Sequence, residues 1–382
     1  MMNATREQVC ASVSRSLRAK RDSLGKIKTV LGLDGFVDEI IAVVDKRHAA
    51  DRFDPVRSIS EMSRKIAAAS GLSANYELVV KQRKLGGNRP VMATALARVG
   101  LGVTYIGNLG IPTIDPVFQP LAERATVLSI GQPAHTDALE FEDGKLMLGK
   151  LTPLMDVNWN TLIATVGRDK LIQLLDGATL IGIVNWTMLP HMSEIWASLL
   201  DEVIPNTQQH ERMLFVDLAD PEKRSQDDIR SALQILGRFQ REVDVVLGLN
   251  LKESAEIAEV LHLPPPGESD ESIEAAARAI RSALGLSCVV IHPRRSAHAA
   301  TATESATFHG PFIEQIRIST GAGDHFNAGF CLGRVLGLSL VESLCAGVAT
   351  SGYYVRTAES PTLDALTTFI DTLPPPQQVE TR

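Results

Sequence analysis

The chain has 382 residues, 45% of them hydrophobic and 22% charged, with a formal net charge of −7. That length buries an ample core as one large α/β domain or two smaller ones, without staples. The acidic balance excludes a nucleic-acid binder, which concentrates Lys and Arg, and no apolar run reaches a membrane span, so a cytoplasmic protein without nucleic-acid or membrane partners is expected.

The first 28 residues carry Arg6, Arg15, Arg18, Lys20, Arg21, Lys26 and Lys28 against Glu7 and Asp22. They read as a solvated helical extension, although a transit segment has a similar balance. Thr29 to Leu33 follows as an apolar strand, and Asp34 and Asp38 lie just past its carboxyl end, the edge at which ligands bind in open α/β sheets. Residues 36–84 and 132–150 are more alternating than continuously apolar, and Asp143-Gly144 is a hairpin turn signal. These two segments suit a small β lid projecting from the main layer.

Gly86-Gly87-Asn88 stands before a helix over Arg89 to Val99, with Pro90 in its first turn, where a missing donor costs nothing. Paired glycines let a ligand approach the backbone, and Asn88 offers a donor and an acceptor to hydroxyls. Alone, this element reads as well as an Asn-capped helix after a flexible turn.

Further apolar runs cover Val103 to Ile106, Thr126 to Ile130, Thr179 to Val184, Met213 to Leu218, Val243 to Leu249 and Ser287 to Ile291. Helical patterns separate them over Leu162 to Leu175, Met192 to Val203, Asp227 to Phe239, Ser254 to Leu261 and Ser269 to Leu284. Continuously apolar strands alternating with helices predict a doubly wound α/β architecture, a mainly parallel sheet with helices on both faces. One domain over 29–372 is expected, followed by a disordered tail over 373–382. Cys10, Cys288, Cys331 and Cys345 form no C-x-x-C pair and read as buried free thiols. His135 and His191 have no partner at metal-ligand spacing.

Near the C-terminus, Ile316 to Thr320 alternates as a short strand would, and Gly321-Ala322-Gly323-Asp324 then opens an apolar helix. A turn of small residues brings backbone N–H groups close to a phosphate, and the helix points its positive end at the same place. The same pattern also suits an ordinary helix start.

Gly86-Gly87-Asn88 opening one helix and Thr320-Gly321-Ala322-Gly323-Asp324 opening another, in this order and at this separation, resemble the two signatures of the ribokinase-like carbohydrate kinases, the PfkB family. Asn250-Leu251-Lys252-Glu253, after the strand Val243 to Leu249, resembles that family's Asn-x-x-Glu element. The resemblance implies a kinase that moves the terminal phosphate of a nucleotide, ATP or alternatively ADP, to a hydroxyl of a sugar or sugar-like alcohol. A catalytically inactive sugar-binding or nucleotide-binding relative is the alternative of another class. It further implies Asp324 as the base and an anion hole at Gly321, Ala322, Gly323 and Asp324. Asp38, then Asp34, with Gly86, Gly87 and Asn88, would hold the acceptor. Asn250 and Glu253 would belong to the magnesium shell, with Thr320, Asn327 and Arg294 against the nucleotide, and a homodimer through the lid is expected.

Three positions depart from the family pattern. Ile318 replaces the acidic or amide residue that in some relatives belongs to a monovalent-cation site. His292-Pro293-Arg294 follows the strand where Thr-x-Gly is usual, and Gly107-Asn108-Leu109-Gly110-Ile111-Pro112 lacks an acidic residue at its end.

Overall fold

The computed structural model describes residues 4–208 and 211–377. A first helix, α1 (Arg6–Ala19), opens with a capping box in which Thr5 and Gln8 satisfy each other's backbone N–H groups, and β1 (Lys28–Leu33) follows. The chain then leaves the main layer for β2 (Phe36–Ala49), β3 (Arg52–Pro55), helix α2 (Ile59–Ala68) and β4 (Leu78–Gly86). Helix α3 (Asn88–Val99) returns it to β5 (Gly102–Gly107), and a single turn, α4 (Gln119–Ala122), leads to β6 (Thr126–Ser129). Strands β7 (Ala134–Phe141) and β8 (Gly144–Lys150) go back to the smaller sheet.

From there strands and helices alternate. They are α5 (Trp159–Val166), α6 (Arg168–Asp176), β9 (Leu180–Ile183), α7 (Met192–Ser198), β10 (Met213–Asp217), α8 (Gln226–Phe239), β11 (Asp244–Leu249), α9 (Leu251–Val260), α10 (Asp270–Leu284) and β12 (Cys288–Ile291). Two antiparallel strands, β13 (Ser296–Thr301) and β14 (Ser305–His309), extend the edge. Helices α11 (Ala322–Val335), α12 (Leu340–Thr357) and α13 (Leu363–Asp371) complete the described chain.

The large sheet has the order β14-β13-β12-β11-β10-β9-β1-β5-β6, parallel from β12 to β6. Its strands read as unbroken apolar runs because both faces are covered. One face packs Val30, Ile181, Leu214 and Leu247 under α5 to α10; the other packs Leu31, Phe215, Val246 and Val290 under α1, α3, α11, α12 and α13. The doubly wound, mainly parallel α/β sheet expected from the alternation is the architecture found.

In the smaller sheet β2 pairs with β4 and β3 antiparallel and with β7 parallel, and β8 closes the far edge. Ile41, Val43, Val56, Met62 and Leu139 make a separate small core beneath it, to which α2 contributes Met62.

Four local expectations are corrected. Ile316 to Thr320 is not a strand: Ile316 is 65% exposed, and the Arg317 and Ile318 amides donate to the Val355 carbonyl at 3.0 and 3.4 Å. The sheet edge is formed earlier, by β13 and β14. The single helix expected over Leu162 to Leu175 is two, broken at Gly167. The N-terminal helix is not merely solvated, since Val9, Val13 and Leu17 are buried against the C-terminal helices. Of the tail, Pro374 and Pro375 are held by backbone acceptance from Arg6 at 2.9 Å and from the Phe312 amide at 3.0 Å, and 378–382 lie outside the described residues.

Candidate active site

The parallel strands all end at one edge of the sheet and deliver a polar residue there. Asp34 follows β1, Asn108 follows β5, Asn185 comes just after β9, Asp217 ends β10, Asn250 follows β11 and His292 follows β12. Strand β1 lies between β9 and β5, where the direction of the strand order reverses, and such a switch point leaves a crevice beyond the carboxyl ends.

Asp34 is sealed beneath this crevice. It is 0% exposed, its Oδ2 accepts from Asn185 Nδ2 at 2.6 Å, and Tyr105 Oη donates to its carbonyl at 2.6 Å. Asp34 thus braces β1 against β5 and the chain after β9, with no exposed surface toward the crevice. Four residues on, Asp38 is the third residue of β2 in the smaller sheet, opposite Lys84 of β4 and Thr136 of β7. Burial pushes its carboxyl above the ordinary Asp range, against the pull of Lys84, the Thr136 hydroxyl and Lys145. A side chain on Gly86 would stand 2.6 Å from Oδ2 of Asp38, so only glycine lets β4 pass this carboxylate.

From Gly87 the chain enters α3, and Asn88 Nδ2 donates to Asp324 Oδ1 at 3.1 Å. This bond joins the two glycine elements across 236 positions of sequence. Asp324 sits in the first turn of α11, behind Gly321, whose φ of 88° is left-handed backbone that other residues rarely adopt. The Ala322 amide donates to the Ser319 carbonyl at 3.1 Å, so the expected anion hole loses that donor. What remains is the helix N-terminus with the Gly321, Gly323 and Asp324 amides.

One turn further along α11, Asn327 is buried and donates to Asp217 Oδ2 at 2.8 Å. Its amide thus braces α11 against the end of β10. Thr320 and Arg294 are exposed at the rim, while His292 lies against the turn, with Cε1 3.4 Å from where a Gly323 side chain would begin. The His292 ring packs tilted on Phe326 with centroids 4.7 Å apart, and its enclosed Nε2 has no hydrogen-bond partner among the described residues.

Asn250 and Glu253 cap α9 reciprocally: Asn250 Oδ1 accepts from the Glu253 amide at 2.9 Å, and Glu253 Oε2 accepts from the Asn250 amide at 2.8 Å. Glu253 Oε1 also accepts from the Asp220 amide at 3.0 Å. Burial, then the neighbouring Asp217, pushes the Glu253 carboxyl up to about 8. Among the described residues no group of three or more His, Cys, Asp or Glu is arranged to hold an ion directly. The oxygens of Asp217, Asn250 and Glu253 fit Mg²⁺ held through water, because the α9 cap, the Ala219 amide and Asn327 already engage them.

Tyr354 is the residue that the motifs did not reveal. Its phenol is pushed up to about 12, by burial first and then by the charges of Asp324 and Asp38. Asn185 and Asp217 were missed likewise; their one sequence signal is a polar residue ending an apolar strand.

The family model described as prokaryotic ketohexokinase matches residues 3–373. A ketohexokinase from Haloferax volcanii is 30% identical over 347 residues, covering 90% of this chain and 90% of that protein. Among solved structures, a carbohydrate kinase from Agrobacterium tumefaciens shares the fold with a TM-score of 0.62 at 16% identity, over 91% of this chain and 98% of that one. A ribokinase from Arabidopsis thaliana, solved with ribose and ATP, does so with a TM-score of 0.61 at 16% identity, over 91% and 99%. With both glycine elements meeting at one helix start and a match along nearly its whole length, the chain belongs to the prokaryotic ketohexokinase family, within the ribokinase-like carbohydrate kinases.

Proposed function

We propose that this carbohydrate kinase moves the terminal phosphate of ATP to a hydroxyl of a ketohexose, with Asp324 as the base. The observation that carries the reading is the Asn88–Asp324 hydrogen bond, which sets a group suited to sugar hydroxyls against a carboxylate at a helix N-terminus. A hydroxyl held there by Asp38 and Asn88 gives its proton to Asp324 as its oxygen attacks the terminal phosphorus, and the bond from that phosphorus to the bridging oxygen breaks with ADP as the leaving group. The Gly321, Gly323 and Asp324 amides stabilise the charge that gathers on the phosphoryl oxygens.

Mg²⁺, when bound, neutralises the transferred phosphates. Asp217, Asn250 and Glu253 are the residues to hold its water shell, and Thr320 and Arg294 at the rim would meet the nucleotide. The smaller sheet, which carries Asp38 near its start, serves as the lid that excludes water. A homodimer through that sheet also belongs to this reading: Leu78, Val80, Met147 and Leu148 stand exposed on it. Sedimentation of the purified protein tests it. No helix among the described residues is long and apolar enough to cross a membrane.

The decisive experiment is phosphorylation of ketohexoses, aldohexoses and pentoses with ATP and with ADP, for the wild type and for Asp324→Asn. Ketohexose turnover with ATP is expected, and the variant should lose about a thousandfold in kcat while keeping its melting temperature. Wild-type turnover by Asp324→Asn rejects the base; turnover with ADP alone rejects the donor.

A further inference from the structure

The backbone of the Gly321–Asp324 turn is held from outside by the side chains of Tyr354 and His325, with Ser360 behind the histidine. His325, the residue after the base, is 1% exposed, with Nδ1 2.7 Å from the Gly321 carbonyl and Nε2 2.8 Å from Ser360 Oγ. A carbonyl only accepts, so Nδ1 carries the proton and Nε2 accepts from the Ser360 hydroxyl. The ring lies flat against Tyr354, with centroids 3.6 Å apart and planes 11° from parallel. Tyr354 Oη donates to the Thr320 carbonyl at 3.0 Å.

Two successive carbonyls, Thr320 and Gly321, are thus each gripped by a ring, and the rings support one another. The planar peptide makes this grip matter for chemistry: fixing the Thr320 carbonyl fixes the Gly321 N–H on the other side of the same plane. Fixing the Gly321 carbonyl likewise holds the Ala322 peptide, from which the Gly323 and Asp324 amides and the Asp324 side chain continue. Gly321 is fitted to the bracket, since a side chain on it would begin 3.2 Å from Tyr354 Oη.

We propose that Tyr354, His325 and Ser360 are positioning residues for phosphoryl transfer, which hold the Gly321–Asp324 turn with its amides and base aimed at the transferred phosphate. This rests on the phosphotransfer reading given above. The bracket bonds the carbonyls of the turn; it fixes donors that are useful only if they do not move during the reaction. Its loss is therefore felt in kcat and little in sugar binding, which depends on Asp38 and Asn88 across the crevice.

The test uses the full chain with a ketohexose and ATP. Tyr354→Phe deletes one hydroxyl and keeps the stacked ring. His325→Leu removes the donor to Gly321, while His325→Asn restores a donor near the place of Nδ1. Tyr354→Phe and His325→Leu are expected to lower kcat about 10- to 100-fold, with the sugar KM within about threefold of wild type and with His325→Asn recovering part of the loss. Wild-type kcat in Tyr354→Phe overturns the proposal, as does a loss that lies in the sugar KM alone. If His325→Leu does not fold, Tyr354→Phe and Ser360→Ala decide by the same split. Asp324→Asn run in parallel separates the two levels. If it is inactive while the bracket variants are fully active, only the bracket falls; if it turns over normally, the phosphotransfer reading falls as well.

Discussion

Gly86 serves the site by what it lacks. An added methyl group would press on the Asp38 carboxylate from within van der Waals distance, and overpacking of this kind typically costs about 1–3 kcal/mol. Gly86→Ala is therefore expected to displace Asp38 and raise the sugar KM about tenfold or more, with a smaller effect on kcat, as steady-state kinetics will show. At this scale the places of Asn88 and Asp324 at helix starts and of Asp38 just past β1 were legible, because glycine and proline punctuate those turns. Asp34 and Asp38 were not separable in the same way. Both flank a turn after β1, and only the packing of Asn185 and Tyr105 around Asp34 shows which carboxylate is spent inside the protein. Tyr354 was illegible, since its position in α12 gains meaning only when that helix packs beside α11.

Among the elements, α9 shows how one motif serves two ends. The Asn250–Glu253 capping box is a common helix start, and removing the Asn side chain would cost about 1 kcal/mol of stability. Its carboxylate, however, is held next to Asp217, and its acid form is favoured from the ordinary 4.5 up to about 8. The folded protein keeps a proton there that the unfolded chain gives up. This contribution to stability is complete below pH 4.5 and is lost as pH rises through about 8. Glu253→Gln does not titrate, so thermal melting at increasing pH should shift in favour of the variant across that window. A constant difference between the two proteins would show that Glu253 is already ionised. The failures at this scale have physical reasons. Five alternating residues, Ile316 to Thr320, are too few to force a strand when their amides find the end of α12 instead, and one glycine, Gly167, sufficed to split a periodic helix.

For the whole molecule, the N-terminal helix is the least expected support. Val9, Val13 and Leu17 lie on one stripe of α1 and fill the side of the core made by α12 and α13. Arg18 pairs with Asp371 at 2.5 Å, and Arg21 pairs with Asp364. Exposed pairs of this kind contribute little, but each buried side chain contributes about 1.5–3 kcal/mol. Their sum is comparable with the stability of an ordinary domain, about 5–15 kcal/mol. A variant lacking residues 1–20 should aggregate on expression or melt at least about 10 °C lower, whereas Arg18→Ala should shift melting by about 2 °C or less. Unchanged melting of the truncated protein would show that α1 is an ornament. The alternation of strands and helices carried the doubly wound layer directly. The role of α1 was hidden because its many cations outnumber the three residues that matter.

The hydrogen bond between Asn88 and Asp324 also sets a timetable for making the enzyme. Because its partners are 236 positions apart, a growing chain carries Asn88 long before Asp324 exists. During refolding, turnover can return only once α3 and α11 dock, a pairing distant in sequence and correspondingly late. Recovered activity is thus a report that both ends of the fold have met, and no fragment ending before α11 can give that signal.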